Sequence, residues 1–299
     1  MTQLLLKKQR PRGANFLIDL WCSHRTYAQS DRLLKKRGQR MAVYANDLIG
    51  IWINQFGYFE NEELDFLFEF LTPLNAIFKK SVAFDIGANI GNHSVYFSKY
   101  FKSIQAFEPN TFTYDLLSFN LKWTKNVTPH NFGFGNTKGI LTLVEDITNY
   151  GGSSIVMDNT KTSDSIEVQI ERLDDFSFEG ELSFIKIDVE GFESKVIQGA
   201  KAMLKKHYPV VVFEQHEDDF YNNTSPTIEL LKKLGYKFCW HTQGTITRNW
   251  FIKRAYTLVE IFRGREHRMV SSDTIPRGFY AMVVAIPPRF QKTLGLNEL

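Results

Sequence analysis

The stretch that most constrains this chain is Ser81-Val82-Ala83-Phe84-Asp85-Ile86-Gly87-Ala88-Asn89-Ile90-Gly91-Asn92-His93. An apolar run from Val82 to Ile86 breaks at a glycine-spaced turn. It passes at once into a helical pattern, with His93, Tyr96, Phe97 and Tyr100 at i, i+3, i+4 and i+7. A buried strand, a tight turn and a helix start are the parts of the first nucleotide-binding turn of a doubly wound α/β sheet. Gly87 and Gly91 let backbone approach a ligand, and the helix start offers free N–H groups. Glycine spacing alone suits an ordinary strand–helix turn equally well, so the rest of the chain decides.

Beyond this turn, strands alternate with helices. Ser103 to Phe107 reads as a second strand ending in Glu108-Pro109-Asn110. Thr111 is placed to cap a helix bearing Tyr114, Leu117 and Leu121, and Val127 to Phe134 reads as a third strand. Residues 140–176 are β-rich, with a flexible Gly151-Gly152-Ser153-Ser154 tip that could fold over a ligand. A fourth strand closes on Ile187-Asp188-Val189-Glu190-Gly191-Phe192-Glu193, and a fifth on Phe213-Glu214-Gln215-His216. Tyr236 to His241 and Phe279 to Ile286 add two more. The order predicts an α/β fold: a doubly wound, mostly parallel sheet with a β-rich insertion between strands 3 and 4. Before it, Met41 to Ile53 alternates weakly, as a short strand or hairpin would, and Glu62 to Leu71 is helical. Asn249 to Phe262 is an aromatic, basic helical candidate.

Composition excludes some classes. Hydrophobic residues make up 43%, enough for a sizeable core, and 26 Phe predict packed aromatic layers. Cys22 and Cys239 are the only cysteines, so neither a disulfide framework nor a cysteine-based zinc site follows; a reducing, cytoplasmic setting is expected. No apolar run is long enough to span a membrane, and Leu4-Leu5-Leu6 is too short for a signal-peptide core. The net charge of +3 hides an asymmetry: residues 1–40 carry +8, residues 240–299 carry +5, and the middle carries −10. Basic ends suit an anionic surface, although solvated ends explain them as well. Within the basic arm, Phe16, Leu17, Leu20 and Trp21 form one helical stripe, expected to dock on the main domain, with a membrane surface as the alternative.

Ligands in open α/β sheets bind beyond the carboxyl ends of the strands. Here those ends carry Asp85, Glu108, Asp188 with Glu190, and Glu214 with His216. Carboxylates crowded at one edge are costly unless they bind something, and a cationic ligand with hydroxyls fits them. Glu108 lies 21 residues past Gly87, placed to accept both hydroxyls of a ribose. The turn lacks the full dinucleotide fingerprint, and Asp85 would repel a pyrophosphate. S-adenosylmethionine, a sulfonium with a ribose and an amino-acid tail, fits better than a nicotinamide cofactor.

These motifs, together with Arg172-Leu173-Asp174-Asp175, resemble those of the FkbM family of S-adenosylmethionine-dependent methyltransferases over residues 80–240. The resemblance implies a Rossmann-like class I methyltransferase with a seven-stranded sheet whose last strand, at 279–286, runs antiparallel. It implies O-methylation, often of sugars or secondary metabolites. On this reading residues 1–40 are a basic arm, 41–78 an extension and 79–290 the methyltransferase domain. Residues 140–176 are its insertion, 241–277 a variable segment and 291–299 a tail.

Asp85, Gly87, Asn89 and Gly91 are assigned to the donor's methionine end, with Ala88, Asn92 and His93 in the same turn. Glu108 and Pro109 take the ribose, and Phe132 and Gly133 border the adenine. Asp188 is the first choice for a catalytic or donor-contacting role. His216 is the leading base, with Glu190 and Glu214 competing, while Glu193 reads as a structural helix-start carboxylate. Asp188 and Glu214 could hold a divalent cation, but no complete ligand set is visible, so no metal site is assigned. The expected partner is a sugar, glycan or small-metabolite acceptor, with no nucleic acid and with peripheral membrane contact through the basic ends as a further option. The alternatives are an NAD(P)-dependent oxidoreductase and a noncatalytic nucleic-acid-binding protein of the same fold.

Overall fold

A computed structural model describes residues 15–45, 47–144, 154–156, 165–221, 224–243, 267–272 and 274–296. The chain opens with helices α1 (Asn15–Arg37), α2 (Leu48–Phe56), α3 (Asn61–Phe70) and α4 (Asn75–Phe78). The alternating part continues as β1 (Val82–Ile86), α5 (Asn92–Phe97), β2 (Ser103–Phe107), α6 (Thr111–Leu121) and β3 (Val127–His130). Short strands β4 (Gly133–Gly135), β5 (Gly139–Val144), β6 (Ser154–Val156) and β7 (Ser165–Arg172) come next. Then come β8 (Leu182–Ile187), α7 (Glu193–Gln198), α8 (Lys201–His207), β9 (Val210–Gln215) and α9 (Pro226–Lys232). Strands β10 (Lys237–Gln243), β11 (His267–Ser272) and β12 (Tyr280–Ile286), with helix α10 (Pro288–Gln291), complete the described chain.

The main sheet runs β11-β10-β12-β9-β8-β1-β2-β3. Strands β3, β2, β1, β8 and β9 are mutually parallel, and β12 is antiparallel to β9, as the sequence predicts for the last strand. All seven expected strands are present. An eighth, β11, pairs antiparallel with β10 at the edge, inside the segment expected to be variable. The β-rich insertion is a sheet of its own, β4-β7-β5-β6. The predicted third strand is really two: the chain leaves the main sheet after His130, and Gly133–Gly135 joins the insertion sheet instead.

The central strands are buried on both faces, which is why β1 and β8 are almost unbroken apolar runs. The two faces carry separate aromatic layers. Phe68, Phe78, Phe97, Phe101 and Phe184 pack on one, and Phe84, Phe107, Phe134 and Phe176 on the other. Asn110, not Thr111, caps α6: its Oδ1 accepts from the N–H groups of Phe112 (3.0 Å) and Thr113 (3.4 Å).

Two N-terminal expectations need correction. Residues 48–56 form a helix, not a hairpin, because Ile49, Ile53 and Phe56 repeat at i, i+4 and i+7 as well as fitting part of a weak alternation. Within the Phe16–Trp21 stripe, Leu17, Leu20 and Trp21 are exposed instead of packed on the main domain. The far end of α1 does dock, with Leu33 buried where α1 lies against α2. The Gly151–Ser153 tip and the Asn249–Phe262 helix lie outside the described residues. Among the described residues no helix is long and apolar enough to cross a membrane.

The extension is tied down through Asn120, a fully buried side chain on α6. Its Nδ2 donates to the carbonyls of Ala42 (2.9 Å) and Ile90 (2.8 Å), and its Oδ1 accepts from the Ala42 N–H (2.7 Å). One amide thereby joins α6, the glycine turn and the incoming chain. Asn120→Ala leaves those backbone groups unpaired, and chemical denaturation should show a loss of about 2–3 kcal/mol.

Candidate active site

The site is built on a buried lysine. Lys186 on β8 lies opposite Asp85 in the parallel β1–β8 ladder. Its Nζ donates to Asp188 Oδ2 at 2.9 Å and sits 3.9 Å from Asp85 Oδ1. Asp85 is fully buried; its Oδ2 accepts from Ser94 Oγ at 2.6 Å, and its Oδ1 has no hydrogen-bond partner. Burial works against the lysine charge, but Asp188 and Asp85 outweigh it and hold the ammonium above the ordinary lysine range. Burial likewise opposes ionisation of Asp188, and Lys186 again outweighs it, so this carboxyl lies below its usual range.

Gly87 is what lets the two strand ends meet. It adopts φ +79°, and a Cβ there would stand 1.8 Å from the Asp188 carbonyl oxygen. The glycine that looked like space for a ligand is first of all space for the neighbouring strand. Asn89 is also left-handed at φ +50°, with its Oδ1 accepting from the Ile90 N–H at 2.7 Å. That turn presents the Asn89 N–H to Glu108 Oε2 at 3.0 Å, while Glu108 Oε1 accepts from the Asn110 N–H at 2.9 Å. Glu108 is thus fixed at the end of β2. Burial pushes its carboxyl up to about 7, against the pull of the Asn110 and Asn89 N–H groups.

Glu214, at the end of β9, is hydrogen-bonded to Asp188. Burial first, then the charges on Asp188 and Glu190, raise it to about 9, so at neutral pH it carries a proton and donates it to Asp188. Glu190 sits in a left-handed conformation (φ +50°), and burial and the Asp188 charge push its carboxyl up while His216 opposes them. His216 Nε2 lies 3.1 Å from Glu214 Oε2 and 3.9 Å from Glu190 Oε2. Among the described residues, Glu190, Glu214 and His216 each bring a ligand atom within 4.8 Å of the others, a grouping that could hold a cation. Glu193 is the structural carboxylate expected, accepting from the N–H groups of Val189 (3.1 Å) and Gly191 (3.3 Å).

These groups surround a cavity of about 340 Å³ at the carboxyl edge of the sheet. Gly87, Ala88, Asn89, Asn92, His93, Glu108, Pro109, Gly133, Asp188, Glu190 and Glu214 all line it. Four residues assigned from the sequence do not. Asp85 lies beneath the floor, Gly91 packs against Leu117, Phe132 joins the aromatic layer with Phe107 and Phe134, and His216 stands behind Glu190 and Glu214. Asn92 and His93 also work as ties. Asn92 exchanges hydrogen bonds with the Phe59 backbone (3.0 and 3.1 Å), and His93 Nε2 lies 3.2 Å from Glu60 Oε2, off line for a hydrogen bond but close enough for an ionic contact.

The sequence reading missed a wall of the cavity: Leu48, Ile49, Phe59 and Glu60 from the extension, with Phe134, Leu143 and Ile170 from the insertion sheet. The available signal was the doubled apolar face of residues 48–56, more than one buried side needs. A second cavity of about 230 Å³ adjoins the first and shares Phe279 and Ala281 with it; Phe66, His241, Met269 and Tyr280 also line it.

A family model, the FkbM methyltransferase domain, matches residues 85–238. The chain belongs to the FkbM methyltransferase family. The FkbM match covers the glycine turn, Glu108, Asp188, Glu190 and Glu214, and with it the oxidoreductase alternative falls away. Among solved structures, the methyltransferase FkbM from Methylobacillus flagellatus KT is 16% identical over 62% of this chain and 48% of its own, with a TM-score of 0.34. This chain therefore spans about half the length of that relative. Precorrin-6y C5,15-methyltransferase from Geobacter metallireducens GS-15 is 17% identical over 80% of this chain and 98% of its own, TM-score 0.39. An rRNA methylase from Streptococcus thermophilus is 10% identical over 74% of this chain and 96% of its own, also at 0.39. No curated protein sequence matches the chain.

This FkbM site makes two measurable demands. Lys186→Met strands two carboxylates around a buried apolar group and should cost about 3–5 kcal/mol in denaturant unfolding. Glu108 gives a pH signature. Between its ordinary value of 4.5 and about 7, the folded protein holds a proton that the unfolded chain has released. Stability must therefore fall as pH rises through that window, by on the order of 3 kcal/mol from this group. Unfolding curves of Glu108→Gln across the same range should lose that part of the slope.

Proposed function

We propose that this FkbM methyltransferase uses S-adenosylmethionine to methylate a hydroxyl oxygen on a sugar, glycan or small metabolite. The observation that carries the proposal is the sorted set of carboxyls around Lys186. Glu108 stands fixed at the end of β2, ionised Asp188 on the cavity floor, protonated Glu214 beside it, and Glu190 facing the cavity. A donor with a positive sulfonium, an ammonium and a ribose matches these groups in sign and kind, and bound there it supplies an electrophilic methyl group. Glu108 takes the ribose hydroxyls, and residues 87–89 border the amino-acid end. Asp188 holds its negative charge where a cation is to lie, with Asp85 and Lys186 beneath to keep it in place. Glu108, Pro109, Asp188, Gly133 and the turn all line the cavity that such a donor would occupy.

The acceptor must lose its hydroxyl proton as its oxygen takes the methyl group. Asp188 is too weak a base, being held ionised by Lys186, and Glu214 already carries a proton. Glu190 combines a raised pKa with a place in the cavity wall, so we assign it the proton and His216 the task of balancing its charge. The adjoining cavity at Phe279 and Ala281 is where the acceptor enters. Its aromatic lining suits the apolar face of a ring, and Phe279 also packs edge-on against His216, their centroids 5.5 Å apart.

Calorimetry with S-adenosylmethionine should give a micromolar-range dissociation constant, weakened as pH falls below about 7, where Glu108 gains a proton and loses its charge and part of its acceptor capacity. Failure to bind removes the donor assignment. With labelled donor and a panel of sugars and hydroxylated metabolites, Glu190→Gln should keep donor affinity and lose about 10²–10⁴ in turnover. Unchanged turnover would take the proton from Glu190 and return it to His216.

A further inference from the structure

Among the described residues, most of the exposed large apolar side chains lie on α1 and α2. In the first half of α1, Leu17 is 67% exposed, Trp21 59% and Tyr27 80%, with Leu20 beside them. On the helix these four lie within one face, while Leu33, the residue that docks on α2, points the other way. Helix α2 adds Leu48, Ile51, Trp52 and Phe56, all exposed; its buried side is Gly50 and Ile53, and Leu48 and Ile49 also line the donor cavity. A monomer rarely leaves so many large apolar groups together in water unless they meet something.

The charge around this surface says what it meets. The described residues 15–40 carry six Lys/Arg and two Asp, a net +4. Arg25 stacks on Trp21, its guanidinium 5.4 Å from the ring centroid, and Lys35, Lys36 and Arg37 close the helix. A second copy of the chain would bring two such arms together and repel. A nucleic acid would find the charge but leave the leucines and tryptophans in water. A bilayer with anionic headgroups satisfies both: the aromatic and aliphatic groups enter the interface, and the cations stay at headgroup level.

We propose that α1 and the outer face of α2 form a docking surface for an anionic membrane. Because α2 also walls the donor cavity, docking sets that wall at the bilayer. Acceptors presented from a lipid surface then reach the site more readily than acceptors free in solution. The docking surface itself does not depend on the methyl-transfer reading, since its test needs no turnover.

The full chain is sedimented with vesicles of phosphatidylcholine alone or mixed with phosphatidylglycerol, while tryptophan emission is followed. The expected result is about tenfold or greater preference for the anionic vesicles, a blue shift in emission, and release at high salt. The double variant L17E/W21E, changed at exposed positions, should lose this binding and keep the S-adenosylhomocysteine affinity of the parent. Failure to sediment with anionic vesicles overturns the proposal, as does equal binding by the variant. A parent that is dimeric in solution and becomes monomeric in L17E/W21E, without vesicle binding, would assign the surface to self-association instead.

Discussion

The charge on Lys186 is the constraint on which the rest of the site depends. It is buried between Asp85 and Asp188, and its ammonium balances the charge of both carboxylates. An ammonium in the interior is itself expensive, so the trio is mutually dependent and tolerates no partial loss. The trio also explains why β1 and β8 must lie side by side in this register: Asp85 and Lys186 are partners across the ladder, and Gly87 admits the Asp188 carbonyl one step beyond. Sheet pairing, the glycine turn and the electrostatics of the cavity floor are one arrangement.

From that floor the other carboxyls take different states without any difference in chemistry among them. Asp188 is paired with a cation and stays ionised. Glu214 has Asp188 and Glu190 for neighbours and so keeps a proton. Glu108 lies farther out, held by two backbone N–H groups but deeply buried, and balances near neutrality at about 7. Environment alone divides four chemically similar acids into an ion partner, a proton donor and two carboxyls raised by burial, the division on which the proposed ribose and base roles rest.

Much of this was legible in the sequence, and the pattern of failures is physical. The glycine turn, the acidic strand ends and the strand–helix alternation are local signals, carried by residues that adjoin in the chain. They led to the parallel sheet and, with the family resemblance supplying the antiparallel last strand, to the carboxylate and turn side of the cavity. Roles set by distant contacts were not legible. Asp85 reads as a ligand group from its place before the turn, yet lies beneath the floor because Lys186 and Ser94 pull it inward. His216 has the side chain of a base but stands behind Glu190 and Glu214. Lys186 passed for one more strand residue, since nothing local marks a lysine as buried. The Leu48–Phe59 wall was missed because its contact with Asn92 spans 33 residues, and α1 was expected to dock because exposed Leu17, Leu20 and Trp21 on one helix face are the exception.

The central claim is that this charge arrangement holds an adenosyl donor with its sulfur end over Asp188. A crystal structure with S-adenosylhomocysteine tests it most directly. The account predicts ribose hydroxyls within hydrogen-bond distance of the Glu108 carboxylate and the thioether sulfur above Asp188, facing Glu190. A ligand bound with its ribose away from Glu108, or with its sulfur end turned from Asp188, would contradict it.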